Sequence, residues 1–272
     1  MTQFQLQPFA KIAGLGAASG LIYIDQNLYL ISDNSGFLYK YDLINKNLYK
    51  FPILDDAQEN MIKKEKPDFE SITLRNNQFY VFGSGSTKNR EVRAKFNLET
   101  KTVDIKDISK LYKNLKKTAN CDDDGLNIEG SFYIDETLYL FNRGNGETAK
   151  NGIFVRNKKE DSLNFTQLSL SIINNVETSF TDAVFYDNKI YFLACAENTS
   201  NTYDDGAIYG SILGSINIKT SEIEQTIQIT NNQKFEGLTV YSNDENEINF
   251  LLCEDNDTEE LISNIYKLTI TK

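Results

Sequence analysis

The sequence contains no histidine and no tryptophan among its 272 residues. Without histidine, the chain cannot form a Ser-His-Asp or Cys-His nucleophile system, a histidine-ligated zinc site or a histidine acid–base pair. Any catalysis by this chain must therefore rest on carboxylates, lysine, arginine, tyrosine, hydroxyl groups or a hard metal ion.

Cysteine and long apolar runs are also scarce. The three cysteines, Cys121, Cys195 and Cys253, lack the spacing of metal ligands, and this predicts ordinary reduced thiols. No stretch approaches the 18 or more apolar residues of a membrane span. The N-terminus lacks the basic start and long apolar run of a secretory signal. We therefore expect a cytoplasmic protein that does not cross a membrane.

Positive charge is outnumbered, with 28 Lys and Arg against 39 Asp and Glu and a net charge of −11. This balance argues against nucleic acids and anionic membranes as partners, and it favours the attraction of cations. The content of 40% hydrophobic residues supports a sizeable core.

One pattern occurs five times along the chain. The five segments are "SGLIYIDQ" from Ser19, "ESITLRNN" from Glu70, "EGSFYIDE" from Glu129, "TDAVFYDN" from Thr181 and "EGLTVYSN" from Glu236. These starting positions are 51, 59, 52 and 55 residues apart. A second apolar run follows each segment after a few turn-forming residues such as Asn76-Asn77, and this predicts tight hairpins.

Third strands follow all five hairpins, and fourth strands follow four of them. The fifth unit lacks a fourth strand, whereas "FQLQPFAKI" at residues 4–12 is a spare strand at the other end of the chain. The sequence therefore predicts an all-β, five-bladed β-propeller spanning residues 1–272 as a single domain, with its N-terminal strand completing the last blade. Such a closed ring leaves no open sheet edges. The predicted blades cover about 18–53, 68–108, 127–171, 179–230 and 234–272 plus 4–12.

Two other architectures fit the repeats less well. WD40 repeats are shorter, about 40–45 residues, and carry a Trp-Asp signature that a chain without tryptophan cannot have. A two-sheet β-sandwich would not explain five matching units. We expect only short helical inserts, such as one over residues 108–118.

The first residues of the repeats define a candidate metal site. In a propeller the first strand of each blade lines the central channel, so aligned positions on the five first strands converge. These positions are Ser19, Glu70, Glu129, Thr181 and Glu236. All five offer oxygen, and the three carboxylates would repel one another and raise one another's pKa unless a cation lay between them. Oxygen ligands without nitrogen or sulfur suit Ca²⁺ or Mg²⁺, and a wide, flexible site favours Ca²⁺.

Two alternatives to this ring stay open. The side chains would instead cap backbone groups of neighbouring blades or be bridged by water in the channel. A slip of one residue in the fourth blade would also point Asp182 inward in place of Thr181. The match of "FTDAVFYD" to "FESITLRN" favours Thr181.

The ring resembles that of the calcium-activated nucleotidases (apyrases), in which serine and glutamate side chains from the first strands of a five-bladed propeller hold Ca²⁺. The order Ser, Glu, Glu, Thr, Glu matches it, with Thr181 in place of a serine. The stretches "FEGL" at 235–238 and "NIEG" at 127–130 are also similar to phytase-like and uncharacterised bacterial propellers. The resemblance covers all five blades but rests on short motifs, and the loops lack a full nucleotidase signature. It implies a calcium ion in the channel.

Loops that follow the second strands are expected to surround the same mouth of the channel. They cover residues 32–36, 83–91, 142–152, 196–211 and 254–264. Arg90 and Arg143 lie in these loops, and we expect their side chains to be exposed. Arginine binds phosphate oxygens in pairs, so these two residues are candidate phosphate contacts. Glu129 or Asp33 is the candidate base.

Two functions therefore remain open. One is a Ca²⁺-dependent phosphoanhydride or phosphoester hydrolase acting on a phosphorylated small molecule. Its catalytic residues would be Glu129, Asp33, Arg90 and Arg143. The other is a non-catalytic binding or scaffold propeller, in which the cation is structural and the mouth docks a protein or a small ligand. The fold alone does not decide between them.

Overall fold

Strands make up nearly all of the regular structure in the computed structural model, which describes residues 3–144, 150–199, 206–255 and 260–272. The first eleven strands are β1 (Phe4–Ala13), β2 (Ala18–Ile24), β3 (Asn27–Ser32), β4 (Phe37–Asp42), β5 (Leu48–Pro52), β6 (Phe69–Arg75), β7 (Gln78–Gly83), β8 (Val92–Asn97), β9 (Val103–Asp107), β10 (Ile128–Ile134) and β11 (Thr137–Asn142). The others are β12 (Gly152–Asn157), β13 (Ser162–Gln167), β14 (Ile172–Ile173), β15 (Val176–Glu177), β16 (Ser179–Tyr186), β17 (Lys189–Asn198), β18 (Ala207–Asn217), β19 (Ile223–Gln228), β20 (Lys234–Asn243), β21 (Glu247–Asp255) and β22 (Ile262–Thr271).

Helices are few and short. The α-helix α1 (Ser109–Ala119) lies between the second and third blades, which confirms the predicted insert at 108–118. Two 3₁₀ turns cover Lys88–Arg90 and Asp123–Gly125. Across the described ranges, no helix has both the length and the apolar character needed to span a membrane.

Five antiparallel four-stranded sheets form the blades of a β-propeller. Their strand orders are β2-β3-β4-β5, β6-β7-β8-β9, β10-β11-β12-β13, β16-β17-β18-β19 and β20-β21-β22-β1. The first strand of each blade contacts the first strand of the next, and β20 contacts β2, so the ring is closed. Strand β1 pairs with β22 from Phe4 opposite Ile270 to Ala13 opposite Ile262. The predicted five-bladed fold, with the N-terminal strand completing the last blade, is confirmed.

The hairpin turns follow from their sequences. Both central residues of the turn between β6 and β7, Asn76 and Asn77, have positive φ values of 49° and 58°. The same holds for Asp187 and Asn188 between β16 and β17, at 50° and 60°. Two consecutive positive φ values define the tight turns that match the twist of a hairpin, and asparagine and aspartate tolerate them best.

The core consists of five hydrophobic clusters, one between each pair of neighbouring blades. Each cluster contains a large ring without solvent exposure: Tyr39, Phe79, Phe154, Phe192 and Phe250. Because the apolar contacts lie between blades, no blade buries its faces alone, and closure of the ring completes the core. The centre of the ring is left to polar side chains.

Candidate functional site

Each first strand is interrupted by a β-bulge at the same place. The pairing of the first with the second strand skips one residue in every blade. The skipped residues are Ser19, Glu70, Glu129, Thr181 and Glu236. A bulge inserts an unpaired residue and re-aims its side chain. All five positions predicted for the ring are therefore set apart from regular strand pairing in the same way.

Glycines beside two of these bulges allow the first strands to approach closely. A Cβ atom on Gly130 would lie 2.9 Å from the backbone nitrogen of Ala183 in the next blade. A Cβ on Gly237 would lie 2.5 Å from Sγ of Cys253. The Glu-Gly pairs of the sequence thus combine a side chain at the bulge with a residue that fits a crowded channel wall.

Asp182 has a structural role next to the fourth bulge. The bulge falls on Thr181, whereas the Asp182 carboxylate accepts backbone N–H groups of Ala183 and Leu238, both at 2.7 Å. Burial raises the pKa of Asp182 well above its usual value, and these two hydrogen bonds oppose the rise. Asp182 therefore joins blades four and five.

The two hydroxyls of the predicted ring also join blades. Ser19 Oγ donates a hydrogen bond to the carbonyl of Phe69 at 2.5 Å, and Thr181 Oγ1 donates to the carbonyl of Phe235 at 2.6 Å. Phe69 and Phe235 immediately precede ring glutamates, so each hydroxyl fixes the backbone that presents a carboxylate. A hydroxyl that donates such a bond keeps its oxygen lone pairs.

Charged side chains fill the mouth of the channel. The mouth cluster consists of Asp33, Lys66, Asp68, Glu70, Arg90, Glu129, Arg143, Glu197, Lys234, Glu236 and Asp255. Several of these residues lie at or just after the ends of second strands, where the sequence placed the mouth loops. The parts of those loops at 145–149, 200–205 and 256–259 lie outside the described residues.

The expectation that Arg90 and Arg143 are exposed is wrong. Their exposed fractions are 3% and 6%. Arg90 Nη1 lies 2.6 Å from Asp68 Oδ2. Arg143 Nη1 lies 3.3 Å from Glu129 Oε1, and its Nη2 forms an ion pair with Glu197. A buried carboxylate requires a counter-ion, and these arginines provide it from within the fold.

Two lysines that the sequence did not single out also act as counter-ions to the carboxylates of the mouth cluster. Lys66 Nζ forms an ion pair with Asp33 and lies 2.9 Å from Asp68 Oδ1. Lys234 Nζ lies 2.8 Å from Glu236 Oε1 and 3.1 Å from Asp255 Oδ2. Burial alone would lower the pKa of Lys66, but the two neighbouring aspartates raise it above its usual value.

A sequence signal for these partners exists. The residues two positions before the ring glutamates are Asp68, Asn127 and Lys234, all polar. Side chains two apart on a strand share a face, so this pattern places a polar side chain near each glutamate, and at Glu129 and Glu236 that side chain is a partner. Asn127 Nδ2 donates to Glu129 Oε1 at 2.7 Å, and Lys234 contacts Glu236 in the same way.

Glu70 is the exception in the mouth cluster. Within the described part of the chain, its side chain has neither a hydrogen bond nor an ion pair, and the residue is half-buried. Burial raises its pKa well above the usual 4.5, and Glu129 and Asp68 raise it further. The pKa of Glu236 is likewise raised by burial, with Lys234 opposing the rise.

Negative charge therefore exceeds positive charge at the mouth. Seven carboxylates face four cationic side chains among the described residues. Three buried oxygens also lack any hydrogen-bond partner: Asp33 Oδ1, Asn127 Oδ1 and Glu129 Oε2. Buried polar atoms are normally satisfied, so these oxygens call for a donor or a cation.

One close group of acidic oxygens combines a ring glutamate with two aspartates from outside the ring. In the described residues, one oxygen each from Asp33, Asp68 and Glu70 lies within 4.8 Å of the other two, and the three ring glutamates form no such group. Asp33 and Asp68 already share Lys66. The five-residue ring as a ligand set thus stays a prediction. The site as built offers oxygen donors only, which suit a hard cation.

Comparison with known sequences places the chain in a family. The sequence profile of a family described as "Family of unknown function (DUF6929)" matches residues 14–270, which is nearly the whole chain. The chain belongs to the DUF6929 family. No curated protein matches this DUF6929 member.

Comparison with solved structures finds distant similarities to other chains. A chain in the crystal structure of a nidogen/laminin complex aligns with this DUF6929 chain at a TM-score of 0.47 and 10% identity. The alignment covers 87% of the present chain and 74% of the other. A similarity this distant indicates no function, so functional inference rests on the mouth cluster itself.

Proposed function

We propose that this protein is a cation-binding propeller that holds a divalent ion, Ca²⁺ in preference to Mg²⁺, at the mouth of its central channel. The observation that carries the proposal is Glu70, a carboxylate without a partner among other carboxylates. The unpartnered Glu129 Oε2, which is fully buried, supports it independently.

The donor set favours a hard ion. Glu70 and Glu129 would hold it, and Asn127 Oδ1 and Asp33 Oδ1 are further oxygens without partners in the described structure. The mouth cluster contains no histidine or cysteine, so soft metals have no ligands there. A divalent ion would offset most of the excess of three negative charges.

We favour the binding propeller over the hydrolase. A phosphohydrolase needs cationic groups aimed at the reacting phosphate. Arg90 and Arg143 are instead held in ion pairs with Asp68, Glu129 and Glu197. Their burial makes them part of the scaffold that presents the carboxylates. In this proposal the mouth binds a cation. A ligand then binds to that cation and to the loops around the mouth.

Thermal melting with and without added ions tests the proposal. Calcium should raise the melting temperature of metal-free protein by about 5 °C or more, because a ligand at one hundred times its Kd adds about 2.7 kcal/mol of stability. Magnesium should raise it less. Glu70→Gln should lose most of the calcium effect, whereas the exposed Glu245→Gln should keep it.

Two outcomes would contradict this function. The cation site is wrong if calcium leaves the melting temperature unchanged, or if Glu70→Gln responds as the wild type does. The preference for a non-catalytic role is wrong if the protein releases phosphate from nucleoside di- or triphosphates with calcium but not with chelator. In that case the hydrolase would replace the binding propeller.

A further inference from the structure

A cluster of positive side chains lies between blades two and three, away from the mouth. We call it the cationic patch, and it consists of Arg75, Tyr80, Arg93, Tyr133, Arg156 and Lys158. Arg75 ends the strand near whose start Glu70 lies, so five residue steps along β6, about 17 Å, separate this part of the patch from the mouth. The patch concentrates positive charge on a protein whose net charge is −11.

Stacked rings organise the centre of the patch. The rings of Tyr80 and Tyr133 lie 5.3 Å apart across the boundary between the two blades. The guanidinium carbon of Arg75 lies 4.8 Å from the centre of the Tyr133 ring, and that of Arg93 lies 5.4 Å from the Tyr80 ring. Cation–π contacts hold both guanidinium groups in place, and a guanidinium group presents its N–H donors in a planar fork that matches an oxyanion.

Acidic side chains compensate the patch only in part. Glu136 forms an ion pair with Arg75, and Asp104 lies 3.2 Å from Arg93. Asp104 is also shared with Lys95 and Lys106, at 3.9 and 3.8 Å. Both acids are more than two-fifths exposed, so their attraction is weakened by solvent.

Two cations of the patch form no ion pair in the described residues, although Lys158 is attracted by Glu136. Neither the Arg156 nor the Lys158 side chain forms an ion pair or a hydrogen bond within the described part of the chain. Arg93 Nε is buried and also lacks an acceptor. The pKa of Lys158 is lowered, first by partial burial and then by Arg156, Arg93 and Arg75, whereas Glu136 opposes the lowering.

We propose that the cationic patch binds a small multivalent oxyanion, of which a phosphorylated small molecule is the expected class. Planar guanidinium groups match phosphate oxygens in pairs, and the patch carries three of them beside a lysine. An anion there would offset the repulsion among Arg156, Lys158 and their neighbours. This site is separate from the proposed cation site at the mouth.

A small anion suits the patch better than a polyanion. The protein carries a net charge of −11, so a nucleic acid or an anionic membrane that extends beyond the patch would be repelled by the protein as a whole. The patch also spans one blade boundary only, with Tyr80 and Tyr133 at its centre. A ligand that places two or more charges within this area gains the attraction without meeting the acidic surface.

Isothermal titration of metal-free protein with pyrophosphate tests the inference. The wild type should show saturable binding at low ionic strength. The double variant Arg156→Ala/Lys158→Ala should bind at least about tenfold more weakly. Lys219→Ala is the control, because Lys219 lies in the corresponding turn of blade four, one position further along than Lys158: its backbone N–H donates to Asn217 Oδ1 as that of Lys159 donates to Asn157 Oδ1. Its affinity should equal that of the wild type.

Further measurements identify the class of ligand and check that the double variant is folded. Circular dichroism and melting should show the double variant folded, since neither deleted side chain forms an ion pair or a hydrogen bond in the described part of the chain. Equal pyrophosphate affinity in the wild type and the double variant would overturn the inference, as would the absence of saturable binding. A short polyaspartate peptide that binds more tightly than pyrophosphate would also overturn it, in favour of an acidic segment of another protein. Glu70→Gln should bind pyrophosphate unchanged, which separates this site from the mouth.

Discussion

The mouth cluster and the cationic patch both carry an excess of one charge, but they manage it in opposite ways. At the mouth the excess is negative and buried, and four internal cations are folded in to reduce it. At the patch the excess is positive and close to solvent, and only two exposed acids reduce it. Water stabilises an unbalanced charge at the surface, whereas a buried charge must find its counter-ion in the protein or in a ligand. An arginine of the mouth cluster is therefore needed for stability, whereas an arginine of the cationic patch contributes little to it.

The largest expected effect compares one arginine from each region. Arg143→Ala leaves Glu129 and Glu197 buried without their counter-ion, and it should reduce the free energy of unfolding by about 3–5 kcal/mol. Arg156→Ala removes a side chain without an ion pair and should change it by no more than about 0.5 kcal/mol. Urea denaturation followed by circular dichroism measures both.

The comparison fails if the two variants unfold at similar urea concentrations. A nearly neutral Arg143→Ala would mean that Glu129 is already protonated or otherwise satisfied. A strongly destabilising Arg156→Ala would mean that the patch holds its blades together. Arg143→Lys serves as a partial rescue, because it restores the charge without the two-pronged geometry.

A second, smaller effect is the pH dependence of the metal-free protein. Folding raises the pKa of Glu70 and Glu236 well above 4.5 and raises that of Glu129 and Asp33 as well, in each case first through burial. A raised carboxyl pKa means that the folded state holds protons that the unfolded state has released. Stability should therefore fall as the pH rises from about 5 to 8, by about 1.4 kcal/mol for each unit of net shift.

Calcium and one substitution sharpen this measurement. Saturating calcium should flatten the fall between pH 5 and 8, because the ion takes over the role of the bound protons. Glu70→Gln should flatten it in part without calcium. The pKa of Glu197 is lowered, so its contribution changes below about pH 4.5 and does not enter this window. A metal-free protein that gains stability from pH 5 to 8 would rule out the excess of buried carboxylates.

The sequence predicted the fold, and it predicted at which point along the first strands the candidate site lies. Five aligned strand pairs and the spare strand at 4–12 were enough for the propeller and its closure, because period-2 patterning and ring closure are properties of the whole repeat. The five aligned positions, of which Glu70 is one, are also the positions of the five β-bulges. The bulges themselves were not predicted, since nothing in a strand's residue types distinguishes a skipped residue from a paired one.

The ion pairs of the mouth cluster and the cationic patch could not be predicted from the sequence, because both depend on residues that are far apart along the chain. Whether Arg143 extends into solvent or turns inward depends on Glu197, which is 54 residues away in another blade. Arg75, Arg93 and Arg156 come from three strands of two blades, and each alone is an ordinary polar residue on a strand. Electrostatic balance is a property of the assembled surface, so single positions do not reveal it.

The smallest expected effect tests whether the positive excess of the patch is real. Removing Lys158 relieves repulsion from Arg156, Arg93 and Arg75, so Lys158→Ala should raise stability slightly at low salt, by a few tenths of a kcal/mol, roughly the size of one like-charge pair. At 1 M salt the Debye length is about 3 Å, and the gain should vanish. Lys219→Ala, in the corresponding turn of blade four, should show neither change. Pyrophosphate should reverse the order, because the wild type gains more from the anion than Lys158→Ala does. A loss of stability at low salt would mean that Lys158 makes net attractive contacts, and the patch would then be balanced without a ligand.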